Sequence, residues 1–194
     1  MAPYQIRTAQ EGREGVLWFV YPGGLLEYDG RTLREHPTPG ASLGDAVDVF
    51  VASDESILIV KESGFAHWKD GKIRSYNSFV YGLNDRNVVV ELNSGRYLFA
   101  DRANGLWLYK DSSLSRVDVD VQAPSSLLLD SRNNLWVVES ESHELNVFRI
   151  HETGGALDFE LLHSFSGQAD NNYQPRLFED SKNRVWVIDP DDQD

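Results

Sequence analysis

The chain has 194 residues, of which 41% are hydrophobic and 25% charged, a composition typical of a folded globular protein. Its 31 acidic and 18 basic side chains give a formal net charge of −13, which disfavours nucleic acid and anionic membrane surfaces as partners. The sequence contains no cysteine, so disulfides, thiolate metal sites and cysteine nucleophiles are excluded. Its apolar runs are far shorter than the roughly 20 residues of a membrane helix, and no signal peptide is expected in this sequence.

The first forty residues are predicted to form four short strands. These strands, named a to d, are expected at residues 5–9, 16–20, 25–28 and 32–36. Residues 12–15 separate strands a and b, and Asp29-Gly30 separates strands c and d. Asp-Gly between apolar or alternating runs is a strong hairpin signal. Asp70-Gly71 and Asp111-Ser112 occupy the corresponding places further along the chain.

Two kinds of segment recur along the chain. A glycine-led segment appears at residues 24–28, 64–68 and 105–109. Residues 130–138 match residues 180–188, with Asp, Ser, Asn, Trp and Val identical. Repeats of roughly 40 residues that each contain several short strands are typical of β-propeller blades.

The second strand of each unit is apolar without alternation, as at residues 16–20, 57–60 and 135–138. Such strands are covered on both faces, which the stacking of blades achieves. The tryptophans at the equivalent positions are therefore expected in the core. The equivalent positions are Trp18, Leu58, Phe99, Trp136 and Trp186.

The predicted fold is all-β, with about four and a half propeller blades of four antiparallel strands each. One propeller region, 1–194, is expected to contain blades at 1–40, 41–80, 81–121, 122–168 and 169–194, the last of which has two strands. We expect the chain to be part of a longer propeller. A ring closed by a partner chain and an incomplete fifth blade are the alternatives.

Several of these segments resemble a known family. Residues 128–137 and 178–186 are similar to the repeat of two-component regulator propellers, and residues 82–88 resemble the linker between its repeats. Units two and three depart from the pattern: Leu58 and Phe99 replace the tryptophan, and the a–b turns around Asp54-Glu55 and residues 93–95 look irregular. The resemblance implies a sensor module of bacterial signal transduction that lies outside the cytoplasm, in the periplasm for example, and binds ligands that are often glycan-derived. Propeller repeats of this kind also occur in streptogramin lyases.

Three features suggest chemistry but have simpler explanations. Residues 40–44 match the G-x-S-x-G pattern, but a strand-like run follows the serine instead of the helix that hydrolases require. Among the five histidines, His143 is the most interesting, because it lies in a long acidic b–c loop with Glu139, Glu141 and Glu144. The acidic residues 189–194 lack the pattern of a calcium loop and are interpreted as a solvated tail.

The alternation of strand direction places the b–c loops and the d–a linkers at one end of the blades. These connections vary between units, and variable loops on a rigid scaffold are where binding usually occurs. Aromatic residues beside amides or a guanidinium suit a carbohydrate or a peptide. The candidate ligand-binding residues are Tyr21, Phe79, Tyr81, Arg102, His143, Glu144, Asn172 and Tyr173.

The favoured interpretation is a non-catalytic module that binds a small ligand or a protein on this b–c/d–a face, without a cofactor, a metal or catalytic residues. The first alternative is a propeller enzyme of the streptogramin-lyase or hydrolase kind, against which stands the lack of a clustered His and carboxylate set. The second is a protein-interaction scaffold, which would use the same loops or an open blade edge.

Overall fold

The computed structural model describes residues 5–62, 64–77, 87–93, 95–166 and 175–188. The chain divides into two compact units, Met1–Leu83 and Asn84–Asp194. In the described ranges the one helical segment is the three-residue 3-10 helix Arg13–Gly15, as the absence of a helical apolar period predicts. None of the helical structure in these ranges is long and apolar enough to cross a membrane.

The first unit contains two four-stranded antiparallel sheets, each made of consecutive strands. The first sheet comprises β1 (Thr8–Glu11), β2 (Leu17–Tyr21), β3 (Gly24–Tyr28) and β4 (Leu33–Pro37). The second comprises β5 (Ala46–Val51), β6 (Ile57–Lys61), β7 (Gly64–Lys69) and β8 (Lys72–Tyr76).

The second unit contains two further sheets of four consecutive strands and one of two. The third sheet comprises β9 (Val89–Asn93), β10 (Arg96–Asp101), β11 (Gly105–Lys110) and β12 (Ser113–Arg116). The fourth comprises β13 (Pro124–Leu129), β14 (Asn134–Glu139), β15 (Glu144–Thr153) and β16 (Ala156–Ser166), and the fifth β17 (Arg176–Glu179) and β18 (Val185–Ile188). These sheets confirm the predicted all-β fold of about four and a half blades.

The first strand lies further along the chain than the sequence predicts. It was expected at residues 5–9, but β1 pairs Thr8 with Val20 and Glu11 with Leu17. The 3-10 helix at Arg13–Gly15 closes the connection between β1 and β2, so pairing begins at Glu11, directly before that turn. The turn geometry therefore sets the register of this hairpin.

Within each unit, the first strands of successive sheets lie side by side. In the first unit the Gln10 side chain of β1 accepts a hydrogen bond from the Val51 amide of β5, at 3.0 Å. In the second unit the Leu127 backbone amide of β13 donates to the Asn87 carbonyl at 2.8 Å, and the Asn87 side-chain amide donates to the Leu177 carbonyl of β17 at 3.4 Å. Sheets that meet along their first strands are what propeller blades require.

The cores lie between the faces of neighbouring sheets. Strand β6 is buried along its whole length, as the apolar run at residues 57–60 predicts. Strand β10 is also buried throughout, although it begins with Arg96 and ends with Asp101. The run at residues 16–20 was expected to be covered on both faces, but β2 is only half-buried except at Val20. In the first unit a cluster that includes Val20, Ile57 and Trp68 joins the two sheets. In the second unit Val138, Leu145 and Leu177 join the fourth and fifth sheets.

The expectation that three repeating tryptophans are core residues is wrong in part. Trp18 and Trp136 are half-buried at the margin of the two clusters, and Trp186 is 45% exposed. Trp186 lies on β18, and the only described partner of β18 is β17. Its position in the repeat is retained, but the described residues leave one face of this sheet uncovered.

Three of the a–b turns, in the second, fourth and fifth sheets, share one hydrogen-bond pattern. In the turn at Asp130 the amide of residue 130 donates to the carbonyl of residue 134, and the amide of residue 133 donates to the carbonyl of residue 130, both at 2.9 Å. The same two bonds occur at Asp180 and at Ala52. The expectation that the turn around Asp54-Glu55 is irregular is therefore wrong for its backbone. The turn at residues 93–95 includes Ser94, which lies outside the described residues.

The c–d turns follow the sequence signals. Asp70-Gly71 and Asp111-Ser112 each separate two strands, with both residues of each pair at positive φ. Positive φ at both positions is what two-residue hairpin turns require. At the start of strand c, Gly24 and Gly64 face the backbone of strand d so closely that a Cβ would lie 2.3 Å and 1.9 Å from a carbonyl oxygen. This close approach explains why glycine begins the first two copies of the segment, whereas at Gly105 the positive φ of 86° favours glycine.

Candidate functional site

The b–c/d–a face of each unit carries the candidate residues that the structure describes. In the first unit Tyr21 is the last residue of β2. In the second unit Arg102 directly follows β10, His143 directly precedes β15 and Glu144 is the first residue of β15. The other four candidates, Phe79, Tyr81, Asn172 and Tyr173, lie outside the described residues.

The last residue of strand b has a polar side chain in each four-stranded sheet. The four equivalent residues are Tyr21 on β2, Lys61 on β6, Asp101 on β10 and Glu139 on β14. Three of them are almost fully buried, with 7% exposure for Lys61, 0% for Asp101 and 3% for Glu139. The sequence indicated Tyr21 as an aromatic residue of a variable loop, but it did not indicate this pattern. Its signal is a polar residue that ends an apolar run two or three positions after the repeat position of Trp18.

Glu139 fixes the b–c loop of the fourth sheet. Its carboxylate accepts hydrogen bonds from the Gln122 amide at 3.1 Å, the Ser142 hydroxyl at 3.1 Å and the Asn146 side-chain amide at 2.8 Å. A buried carboxylate with three donors holds its surroundings firmly, because losing any donor leaves part of the charge unsatisfied. Glu139 was expected in an acidic loop, but the structure places it beneath that loop as its anchor.

The same loop is also tied to the linker that precedes β13. Both the amide and the hydroxyl of Ser140 donate to the carbonyl of Ala123, at 3.1 Å and 3.0 Å. The loop spans four residues between β14 and β15, which confirms that it is longer than the two-residue b–c connection of the first sheet. His143 ends this loop in the left-handed backbone region, with φ of 57°, and His143 and Glu144 are half-buried.

The b–c loop of the third sheet is organised in the same way. The Asp101 carboxylate accepts hydrogen bonds from the Ala103 amide and the Asn104 side-chain amide, both at 3.0 Å. The Asn104 amide donates to the Asp101 carbonyl at 3.1 Å, which closes the turn. Arg102 is thus presented, half-buried, by a loop with a fixed backbone.

Tyr21 is held by groups of its own sheet. Its hydroxyl donates to the Glu35 carboxylate of β4, and its ring covers Gly23, where a Cβ would lie 2.7 Å from the ring. The tyrosine therefore shapes the b–c turn as well as its surface. A ligand at this position would meet the ring together with the Glu35 carboxylate.

The chemical motifs of the sequence do not form a reactive site in the described ranges. Ser42 of the G-x-S-x-G match is exposed in the connection between two strands, β4 and β5, so the strand–turn–helix context of a nucleophile is not formed. No group of three His, Asp or Glu side chains among the described residues could hold a metal ion. The acidic residues 189–194 lie outside these ranges.

The fold was compared with known proteins. No protein-family model and no curated protein matches the chain. Among solved structures, an inactive variant of virginiamycin B lyase from Staphylococcus aureus with quinupristin superposes with a TM-score of 0.69 at 15% identity, covering 95% of this chain and 63% of that one.

Two further structures are similar over almost the whole chain. The extracellular domain of a protein described as a hybrid two-component system from B. thetaiotaomicron has a TM-score of 0.62 at 12% identity, over 97% of this chain and 30% of that one. YCF48 bound to D1 peptide has a TM-score of 0.61 at 13% identity, over 96% and 61%. At such identities the similarity shows the fold, so the chain is a β-propeller protein. It spans less than two-thirds of the length of each of these structures.

Proposed function

We propose that the chain is the binding module of a sensor-type propeller, which takes a small ligand or a protein segment on its b–c/d–a face without chemical turnover. The observation that carries this proposal is the anchoring of the b–c loops by buried polar residues at the ends of strand b. Loops that are ordered before binding lose little conformational entropy when a ligand arrives, so they suit recognition.

The side chains that these loops present suit a polar ligand. Arg102 supplies a guanidinium with several donors, His143 a ring with one donor and one acceptor, and Glu144 an acceptor. Tyr21 adds an aromatic face in the first unit. Such a mixture is suited to hydroxyl-rich molecules, and we propose a glycan-derived ligand as the first class to test. The extracellular domain among the similar structures supports a location outside the cytoplasm.

The experiment is a calorimetric titration of the chain with a panel of neutral and acidic oligosaccharides. Binding should saturate, and Arg102→Ala and His143→Ala should each weaken it at least tenfold. His163→Ala is the matched control, because His163 is exposed on the outer strand β16. Its ring lies beside that of Phe165, with 6.0 Å between the ring centroids. The His163→Ala variant should bind the oligosaccharide with the same affinity as the unchanged chain.

Three outcomes would overturn this assignment. Product that accumulates during the titration would show an enzyme, and turnover lost in His143→Ala would locate its site. A protein that copurifies and whose binding the loop substitutions leave unchanged would show a scaffold that uses another surface. Saccharide binding that none of the loop substitutions alters would move the site away from this face.

A further inference from the structure

The second unit has a cleft at the end opposite to the b–c loops. Its volume is about 330 Å³, and it lies between the third and fourth sheets, where the a–b and c–d turns emerge. The lining residues are Leu92, Arg96, Asn133, Ile150, Glu152 and Leu157. This volume is at the lower end of the range of about 300–1,000 Å³ for small-molecule sites.

An extended hairpin forms one wall of the cleft. Strands β15 and β16 have ten and eleven residues, and their pairing continues from Glu144–Ser166 to Thr153–Ala156. The third and fourth strands of the third sheet have only six and four residues. The added length carries Ile150, Glu152 and Leu157 past the sheet, towards the start of β10.

Arg96 places a buried positive charge in the cleft. Its side chain is 10% exposed, and its guanidinium donates to both carboxylate oxygens of Glu152, at 2.7 Å and 2.6 Å. A guanidinium in such a place requires an anion, because an uncompensated buried charge is strongly destabilising. The two parallel bonds are the geometry that guanidinium groups prefer with carboxylates.

The two partners of this ion pair differ in their access to water. The Glu152 side chain is 43% exposed, more than four times the exposure of Arg96. Glu152 lies one residue before the end of β15, so it can turn into solvent while Arg96 stays in place. Of the two partners, Arg96 is the less accessible one and Glu152 is the one that can leave the pair.

We propose that this cleft binds a small amphipathic monocarboxylate, whose acid group replaces Glu152 on Arg96. The apolar body of the ligand packs against the side chains of Leu92, Ile150 and Leu157. Glu152 is then an internal competitor that lowers the affinity for weak ligands and excludes neutral ones. This site lies at the opposite end of the blades from the proposed sensor face and does not depend on it.

The test uses 4-phenylbutyrate as the probe and its uncharged amide as the comparison, in calorimetric titrations of the full chain. Glu152→Gln removes the competing charge and should bind 4-phenylbutyrate at least tenfold more tightly than the unchanged chain. The amide should not bind. Leu157→Trp places a larger side chain in the half-buried wall beside Glu152, its cross-strand partner, and should abolish binding.

Glu160→Gln is the matched control. Glu160 lies on the same hairpin, but its carboxylate pairs with His151 at 3.1 Å and with Arg149 at 3.6 Å, all three on exposed positions. Its affinity for 4-phenylbutyrate should equal that of the unchanged chain. The proposal is overturned if Glu152→Gln binds no more tightly than Glu160→Gln, if the amide binds as well as the acid, or if neither variant binds the acid. Any of these results would show that the ion pair only stabilises the fold.

Discussion

At the scale of single residues, the aspartates of the a–b turns determine how the repeat is held together. Asp130 accepts four hydrogen bonds, from the Arg132 and Asn134 amides, from the Asn134 side chain and from the Trp136 indole, all between 2.8 and 3.0 Å. Asp180 accepts the equivalent bonds from the Lys182 and Arg184 amides and from the Trp186 indole. Each aspartate thus joins the turn to the strand that follows it.

These contacts predict a loss of stability in acid. Burial raises the pKa of Asp130, but its hydrogen bonds from Trp136 and Asn134 outweigh this effect and hold the pKa below the ordinary value of an aspartate. The Arg184 side chain is the main cause that lowers the pKa of Asp180 to about 2. Because both folded pKa values are depressed, their stabilising contribution is complete above pH ~4 and is lost as the pH falls from there towards 2.

The expected outcome is a urea midpoint that falls between pH 4 and pH 2.5. Asp130→Asn should lower the free energy of unfolding at pH 6 by about 1–3 kcal/mol, since a buried, hydrogen-bonded charge is lost. Its midpoint should also depend less on pH than that of the unchanged chain. Asp118→Asn, at an exposed position, should behave as the unchanged chain does. If the urea midpoint of Asp130→Asn fell with pH as steeply as that of the unchanged chain, Asp130 would not be a cause of the acid sensitivity.

The sequence predicted the position of the tryptophans but not their surroundings. Asp precedes Trp by six residues in both segments, and this spacing is the signal that would have predicted the hydrogen bond, because a buried indole usually has an acceptor. The exposure of Trp186 could not be predicted, since it depends on what covers the sheet. The burial of Glu139 could not be predicted for a related reason, because its hydrogen-bond donors come from a linker, its own loop and a neighbouring strand.

At the scale of elements, three a–b turns have the same backbone conformation although their sequences differ. The third residue after Ala52, Asp130 and Asp180 has positive φ in each case: Glu55 at 65°, Asn133 at 64° and Asn183 at 57°. Asparagine tolerates this conformation better than most residues, whereas glutamate gains nothing from it. The second sheet therefore contains a locally unfavourable residue in a favourable turn.

Substitutions at Glu55 should change stability in opposite directions. Glu55→Asn should raise the free energy of unfolding by about 0.5–1 kcal/mol, because it relieves the left-handed strain. Glu55→Val should lower it, since a β-branched side chain is least tolerant of positive φ. Urea denaturation of the two variants at pH 7 measures both effects. Equal midpoints for the asparagine and valine variants would show that the turn is not held at this φ in solution.

The strands were largely predictable and the long hairpin was not. The apolar runs at residues 57–60 and 135–138 predicted β6 and β14, and Asp70-Gly71 predicted the turn between β7 and β8. The extension of β15 and β16 has a sequence signal in the alternation on both sides of Gly154-Gly155, but a repeat of about 40 residues gives no reason to expect it. The Arg96–Glu152 pair could not be foreseen, because it joins residues 56 positions apart through that extension.

At the scale of the whole molecule, repetition and charge determine different properties. Repetition predicted the fold, because successive repeats with the same strand pattern form sheets that cover one another's apolar faces. The proposed binding face follows from the alternation of strand direction. The ligand could not be predicted, because the loops that would contact it are the parts in which the units differ. The net charge of −13 determines how molecules of the chain meet one another.

Self-association is favoured by the exposed apolar face of the fifth sheet and disfavoured by the net negative charge. Phe178, Trp186 and Ile188 share one face of β17 and β18 and are 43%, 45% and 47% exposed. Such an apolar face on a two-stranded sheet favours contact with a second molecule. Mutual repulsion at a charge of −13 resists this contact at low ionic strength, and it weakens as the Debye length falls from about 10 Å at 0.1 M salt to about 3 Å at 1 M.

Sedimentation velocity should therefore show more dimer in 1 M than in 0.1 M sodium chloride. Ile188→Thr should reduce the dimer fraction in 1 M salt, because it removes apolar surface from the open face. Leu33→Thr is the matched control, since Leu33 is exposed to a similar extent, 51%, but lies on β4 of the first unit. If both substitutions reduced the dimer equally, salt would be promoting general apolar association, and the fifth sheet would have no special part in it.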